Sequence, residues 1–117
     1  MLDKKNYDLA SWLNFIESID PSKIELGLDR VLLVLKRLNL DFTNTRVIEV
    51  AGTNGKGSTA ALISKALVNS GFSVGLYTSP HLFCFNERVV INDKIIDDKL
   101  LCEAFYAHLC RVIWWSL

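Results

Sequence analysis

The chain has 117 residues, half of them hydrophobic, and its 13 basic side chains balance its 13 acidic ones, so the formal net charge is zero. This length allows one modest domain at most. The neutral charge excludes the basic surface of a nucleic-acid-binding protein, and no apolar run approaches the roughly 18 residues of a membrane span. The polar start MLDKKNYD is unlike a signal peptide, and three cysteines without a CxxC pair favour reduced thiols over a metal site. These features predict a cytoplasmic α/β protein with no nucleic-acid or membrane partner.

Apolar residues recur with the 3.6-residue period of a helix in two segments before residue 40. Residues 8–19 carry one stripe of this kind, and Asp20-Pro21-Ser22 then interrupts the pattern. Residues 27–39 carry a second stripe, formed by Leu28, Val31, Leu32, Leu35 and Leu38. Both segments are predicted to be helices, and the second stripe is interpreted as core.

The stretch Val47–Ser58 reads VIEVAGTNGKGS and predicts an apolar strand that runs into a glycine-rich loop. The three glycines let the backbone turn tightly and approach a ligand. Lys56 can place its charge among phosphate oxygens, and Ser58 offers a hydroxyl to Mg²⁺. A helix over residues 58–70 would direct its N-terminal N–H groups at the anion. The alternative is a glycine-rich turn with a solvated lysine, which this combination of residues between strand and helix disfavours.

A second strand, SVGLYT at Ser73–Thr78, follows the helix, which Gly71 is suited to end. Strand, loop, helix and strand would form one βαβ unit with a right-handed crossover, the start of a parallel sheet. Thr78 and Ser79 lie at the carboxyl end of the second strand, and parallel sheets bind ligands at the carboxyl ends of their strands. A hydroxyl pair at a strand end is also a common turn-former, and both interpretations stay open.

Short extended runs at residues 89–92 and 94–96 surround Asn92-Asp93 and predict a β-hairpin. Asp97 or Asp98 is expected to cap a last helix. No internal repeat and no low-complexity segment is present in the sequence.

Titratable residues lie between the second strand and the hairpin. His81 is a candidate ligand, a base or an ordinary loop histidine, and its chemistry alone favours the last. The pair Glu87-Arg88 would ordinarily be a solvated ion pair at a strand edge.

The glycine-rich loop departs from the common phosphate-loop pattern GxxxxGK[ST], since Val50 replaces its first glycine and Gly57 its hydroxyl residue. GTNGKGS instead resembles the variant loop of the Mur ligase superfamily, in particular of folylpolyglutamate synthases and dihydrofolate synthases. The resemblance extends in order over SKIELGLDRV (22–31), VAGTNGKGSTAALI (50–63), GLYTSPHL (75–82) and NERVVIND (86–93).

This resemblance implies a P-loop-type parallel sheet with flanking helices, the N-terminal fragment of the family's central ATPase domain. Residues 1–45 would be a helical lead-in, 46–80 the βαβ phosphate-binding unit, and 81–117 a substrate loop, hairpin and last helix. The family's C-terminal ligase domain, its later metal ligands and its glutamate site would lie beyond residue 117.

Members of this family use ATP to convert a substrate carboxylate to an acyl phosphate, which the amine of L-glutamate attacks to give an amide, ADP and phosphate. The resemblance therefore implies ATP and Mg²⁺ as cofactors. It also implies folate or dihydropteroate and L-glutamate as small-molecule substrates, and a monomeric full-length enzyme. Lys56 would be catalytic, stabilising charge on the transferred phosphate.

The resemblance also assigns binding residues by motif. The ATP phosphates would be bound by Gly52, Thr53, Asn54, Gly55, Lys56, Gly57, Ser58 and Thr59. Magnesium would be held by Ser58 and Ser79, with Thr78 as the alternative to Ser79. The folate or dihydropteroate would be bordered by Lys23, Ile24, Glu25, Leu26, His81, Phe85 and Arg88.

Three functions are weighed on this basis. The first is a folate–glutamate ligase represented by its N-terminal part and expected to be inactive alone. The second is a truncated, non-catalytic remnant that binds nucleotide. The third is an unrelated phosphate-loop NTPase or kinase, against which the NGKGS spacing and the TSPH block argue.

Overall fold

The computed structural model describes residues 6–19 and 28–113. They divide into two compact units, one made of the described residues up to Arg46 together with those from Asp98 onwards, and the other of Val47–Asp97. The elements in chain order are α1 (Leu9–Ser18), α2 (Asp29–Leu38), α3 (Lys56–Asn69), β1 (Gly75–Tyr77), a 3₁₀ turn (Phe85–Arg88), β2 (Val89–Ile91), β3 (Lys94–Ile95) and α4 (Asp98–Ile113). In the described ranges, no helix has the length and apolar character needed to cross a bilayer.

The first unit is helical, and α1 and α2 both pack against α4. Asp8 caps α1 by accepting the main-chain N–H of Ser11 at 2.8 Å, as expected for an aspartate at this position. Trp12 is the centre of the packing, since only 2% of its surface is exposed. Its ring centroid lies 5.8 Å from that of Phe105 on α4. The predicted first and last helices are confirmed.

The helix α2 is confirmed, but the prediction that its apolar stripe forms core is wrong for most of its length. The helix ends at Asn39, which adopts the left-handed conformation with φ 47°. Leu38 is buried, whereas exposure is 69, 52, 49 and 40% at Leu28, Val31, Leu32 and Leu35. The reason is that α4 is the main neighbour of α2 among the described elements, and this one helix covers only part of the stripe.

The sheet of the second unit is antiparallel, with strand order β1-β2-β3. The β1–β2 register places Tyr77 opposite Val89. Asn92 and Asp93 connect β2 to β3 with φ of 48° and 67°, the positive values that a two-residue type I′ turn requires. The predicted hairpin is therefore confirmed, and an ion pair between Lys65 and Asp93 ties its tip to α3.

The strand predicted at residues 47–51 is not formed, and the parallel pairing predicted for the βαβ unit is wrong for this chain. No described strand pairs with these residues, and Val47 and Ile48 are 78% and 58% exposed. The second predicted strand is present as β1, but its partner is the antiparallel β2. Parallel strands are stable when neighbouring strands and covering helices bury them on both faces, and the described residues leave Val47 and Ile48 largely exposed. The α/β class itself is confirmed, because helices and a sheet are both present.

Candidate functional site

The candidate phosphate-binding loop, residues 52–55, leads directly into α3. Gly52 has φ 152° and Gly55 has φ 72°, values that residues with a Cβ rarely adopt. The helix begins at Lys56, two residues earlier than predicted, with no side-chain cap and no acidic residue in its first turn. Its first N–H groups are therefore open to an anion, and the helix dipole favours one there. These features fit a bound phosphate.

Lys56 folds back over this loop. Its Nζ donates to the carbonyl oxygen of Gly52 at 2.6 Å and to that of Thr53 at 3.2 Å. An ammonium group has three N–H donors, so one is left for a further acceptor. Residues 52–59 are all exposed, which leaves the charge accessible from solvent. The lysine is thus held beside the loop backbone, where a phosphate would be bound.

The hydroxyls predicted to hold magnesium lie at the start of α3 and just after β1. Ser58 and Ser79 are exposed, and within the described ranges neither hydroxyl takes part in a hydrogen bond. Thr78, the alternative, is half-buried, and its main-chain N–H donates to the carbonyl of Arg88 at 3.0 Å. Mg²⁺ prefers oxygen ligands and is often completed by water and phosphate oxygens, so these donors fit it. The described residues contain no cluster of three or more His, Cys, Asp or Glu side chains placed for a metal ion.

His81, Phe85 and Arg88 form one cluster. The Nε–H of Arg88 donates to Nδ1 of His81 at 2.9 Å, and the guanidinium carbon lies 5.0 Å from the centroid of the Phe85 ring. The ring centroids of His81 and Phe85 are 5.9 Å apart. The fold therefore brings together three of the predicted substrate residues, and His81 has a specific role as acceptor for Arg88.

Glu87 holds the loop that carries this cluster, whereas the sequence predicted it only as one half of a solvated ion pair. One carboxylate oxygen accepts the main-chain N–H of Leu82 at 2.8 Å, and the other accepts those of Phe83 at 2.9 Å and Cys84 at 3.0 Å. The ion pair expected between Glu87 and Arg88 is not formed, because the Glu87 carboxylate instead accepts these main-chain N–H groups. The spacing from Cys84 to Glu87 is that of a capping box, a signal obscured by a cysteine where serine or threonine is usual.

The structure assembles two groups of predicted site residues, leaves Ser79 exposed just after β1 and outside both groups, and gives no account of a further set. The loop with its lysine is one group, and the cluster around Arg88 is the other. The remaining substrate residues lie outside the described part of the chain and stay predictions: Lys23, Ile24, Glu25 and Leu26.

Comparison with known proteins identifies relatives that are much longer than this chain. No protein-family model matches it. A dihydrofolate synthase/folylpolyglutamate synthase of Buchnera aphidicola subsp. Acyrthosiphon pisum is 42% identical over 101 residues, which are 86% of this chain and 24% of the relative.

Solved structures give the same result. FolC of Escherichia coli in complex with DHPP and ADP matches with a TM-score of 0.82 and 37% identity, covering 91% of this chain and 26% of that one. A bifunctional folylpolyglutamate synthase/dihydrofolate synthase of Yersinia pestis, complexed with AMPPNP and Mn, matches with a TM-score of 0.82 and 36% identity, covering 91% and 26%. The resemblance to this family is confirmed, and the chain spans about a quarter of its relatives' length.

Proposed function

Because this chain corresponds to about a quarter of a folylpolyglutamate synthase/dihydrofolate synthase, we propose that it is the phosphate-binding part of an ATP-dependent ligase. The ligase joins L-glutamate to the carboxylate of a folate or dihydropteroate through an acyl phosphate. One observation carries this proposal above the others. The loop at residues 52–55 runs into an uncapped helix N-terminus, and the Lys56 ammonium is hydrogen-bonded across it.

In this proposal, the loop and the first turn of α3 bind the ATP phosphates through main-chain N–H groups. Lys56 is the catalytic residue, since its charge stabilises the negative charge that develops on the transferred phosphoryl group. Ser58 and Ser79 hold Mg²⁺, which when bound neutralises charge on the phosphate oxygens. The support is the exposure of both serines, whose hydroxyls form no hydrogen bond within the described ranges, and the AMPPNP and Mn bound by the Yersinia pestis relative.

The substrate side of the proposed site is formed by the loop around Arg88, together with residues 23–26. Support comes from the cluster of His81, Phe85 and Arg88, and from the DHPP bound by the Escherichia coli relative. The 117-residue chain alone is expected to bind ligands without joining them, because by resemblance the later metal ligands and the glutamate site lie elsewhere in the ligase. The proposal includes a monomeric whole enzyme in the cytoplasm, where the free thiols of Cys84 and Cys102 would stay reduced.

A second candidate is a non-catalytic nucleotide-binding remnant. The exposure of Val47 and Ile48, in a segment that pairs with no described strand, favours it. The mass of the native product in its source cell separates the two. A product several times heavier than this chain supports the ligase, and a product of this chain's own mass supports the remnant.

The test of the phosphate site is binding of Mg²⁺–ADP to the purified chain, measured by isothermal titration calorimetry. Lys56→Ala should weaken binding about tenfold or more, because a charge-assisted contact to phosphate is lost. Lys94→Ala is the matched control, since Lys94 is an exposed lysine of the same unit and lies on β3. Unchanged affinity in Lys56→Ala would overturn the proposal.

A further inference from the structure

The apolar stripe of α2 is uncovered along most of the helix. Val34 is half-buried and Leu38 is buried, which marks the side of α2 that packs against α4. Four other apolar side chains lie on a neighbouring side and are 40–69% exposed, and we call them the exposed stripe: Leu28, Val31, Leu32 and Leu35. Their spacing places them in one row along the helix. A row of large apolar side chains in water is typical of a surface that binds a partner.

The exposed stripe is complementary to a second copy of itself. The spacings along it are three, one and three residues, which are the same in both directions. When two copies of α2 run antiparallel, a two-fold axis between Val31 and Leu32 brings Leu28 of each copy to Leu35 of the other. The same axis brings Val31 of each copy to Leu32 of the other. Each stripe can therefore cover its counterpart, with side chains interdigitating as they do between packed helices.

Two charges at one edge of the exposed stripe favour this direction. Asp29 lies in the first turn of α2 and Lys36 in the last, and seven residues are almost two full turns, so both lie on the same side of the helix. Both are exposed, and among the described residues neither takes part in an ion pair. In the antiparallel arrangement, Asp29 of each copy is offset from Lys36 of the other by about 3 Å along the helix axis, whereas parallel helices would separate them by about 10 Å. Opposite charges therefore meet only when the helices are antiparallel.

We propose that the 117-residue chain forms a two-fold dimer through the exposed stripe of α2, with the two helices antiparallel. Burial of the four apolar side chains of each copy drives the association, and the Asp29–Lys36 pairs set its direction. A ten-residue helix is about 15 Å long, so the interface is at the small end of specific interfaces and the dimer dissociates on dilution. The proposal concerns this chain by itself and is independent of the ligase function and of the monomeric state proposed for the whole enzyme.

The test is sedimentation equilibrium of the purified chain at micromolar to millimolar concentrations, where the mass should rise from 13.2 kDa to twice that value. Leu32→Asp should raise the dissociation constant of the dimer about tenfold or more, because a charge would be buried among apolar side chains. Leu33→Asp is the matched control. Leu33 is 51% exposed, against 49% for Leu32, but it lies about 100° further round the helix and outside the exposed stripe. Far-UV circular dichroism reports whether each variant keeps its helices.

Charge substitutions test the direction of the helices. Asp29→Lys and Lys36→Asp should each weaken the dimer, because each brings like charges together. The double variant restores opposite charges, so its dissociation constant should return to within about threefold of the wild-type value.

Three outcomes would overturn the proposal. A chain that keeps a mass of 13.2 kDa over the whole concentration range forms no dimer, and the exposed stripe is then left to another partner, such as the later part of a full-length ligase. Equal effects of Leu32→Asp and Leu33→Asp would show that the exposed stripe is not the interface. Failure of the double charge variant to recover would show that the helices are not antiparallel.

Discussion

The carboxylate of Glu87 accepts the main-chain N–H of Leu82 at 2.8 Å, five positions earlier in the chain. It accepts the next two N–H groups, of Phe83 and Cys84, at 2.9 and 3.0 Å. One side chain therefore satisfies three consecutive backbone donors in a segment that has no regular structure of its own. This closes the loop between its two ends, where His81 and Arg88 are hydrogen-bonded.

Replacing Glu87 by glutamine should loosen this loop. Glutamine has one carbonyl oxygen, and its NH₂ group would face a backbone donor where the second carboxylate oxygen now accepts. We expect the amides of residues 82–84 to exchange with solvent about tenfold faster or more, measured by hydrogen-exchange NMR. Glu103→Gln, at an exposed position on α4, is the control. Unchanged exchange at residues 82–84 would show that the carboxylate does not hold the loop.

Acid should have the same effect on the loop as this substitution. The main-chain hydrogen bonds from Leu82 and Cys84 stabilise the charged carboxylate and lower the pKa of Glu87 below its ordinary value of 4.5. A group whose pKa is lowered by folding contributes stability above the unfolded pKa and loses it as the pH falls through the folded pKa. The loop should therefore be fully ordered above pH 4.5 and lose order below it.

The measurement is the pH dependence of the amide signals of residues 82–84. The cap of α1 provides a separate reporter. The pKa of Asp8 is also lowered, chiefly by its hydrogen bond with Ser11, so the amide of Ser11 should show its own transition. Glu87→Gln should lack the loop transition and keep the one at Ser11. A loop transition that persists in the variant would assign the pH effect to another group.

The turn between β2 and β3 depends on Asn92 in two ways. This residue has φ 48°, and its Oδ1 accepts the main-chain N–H of Val74 at 2.8 Å. Asn92→Ala should cost about 1–3 kcal/mol of unfolding free energy, since alanine is strained at this φ and the hydrogen bond is lost. Asn92→Gly relieves the strain and loses only the hydrogen bond, so it should cost about 1 kcal/mol less. Urea unfolding followed by circular dichroism measures both, and a glycine variant less stable than the alanine variant would contradict this account.

The helical unit depends on Trp12, which contacts the rings of Tyr7, Phe15 and Phe105. Trp12→Ala should cost about 3–5 kcal/mol of unfolding free energy, because a large buried side chain is removed. Trp12→Phe should cost less, since the indole N–H has no hydrogen-bond partner within the described part of the chain and none is lost. The readout is urea unfolding followed by far-UV circular dichroism. Leu62→Ala, at a position 73% exposed, is the control. Equal costs for the alanine and phenylalanine variants would refute the role given to ring packing.

Features that depend on a few neighbouring residues were predictable from the sequence. The first two helices follow from apolar periodicity, Asp8 caps the first, and Asn92-Asp93 forms the expected turn. The glycine-rich loop with Lys56 was predicted in the same way, because glycine backbone freedom and a helix N-terminus are local properties.

What the sequence by itself determined, then, is where the helices, the hairpin and the phosphate loop lie along the chain, since their hydrogen bonds join residues close in sequence. The tertiary structure decided the rest. Residues 47–51 look like a buried strand, but strand pairing depends on distant partners, and none of the described strands pairs with them. Glu87 and Arg88 look like an ion pair in the sequence. In the folded loop, however, the Glu87 carboxylate accepts backbone N–H groups, and the Arg88 guanidinium donates to His81 and lies over the Phe85 ring. Pairing and burial depend on which surfaces meet in space, and spacing along the chain does not specify that.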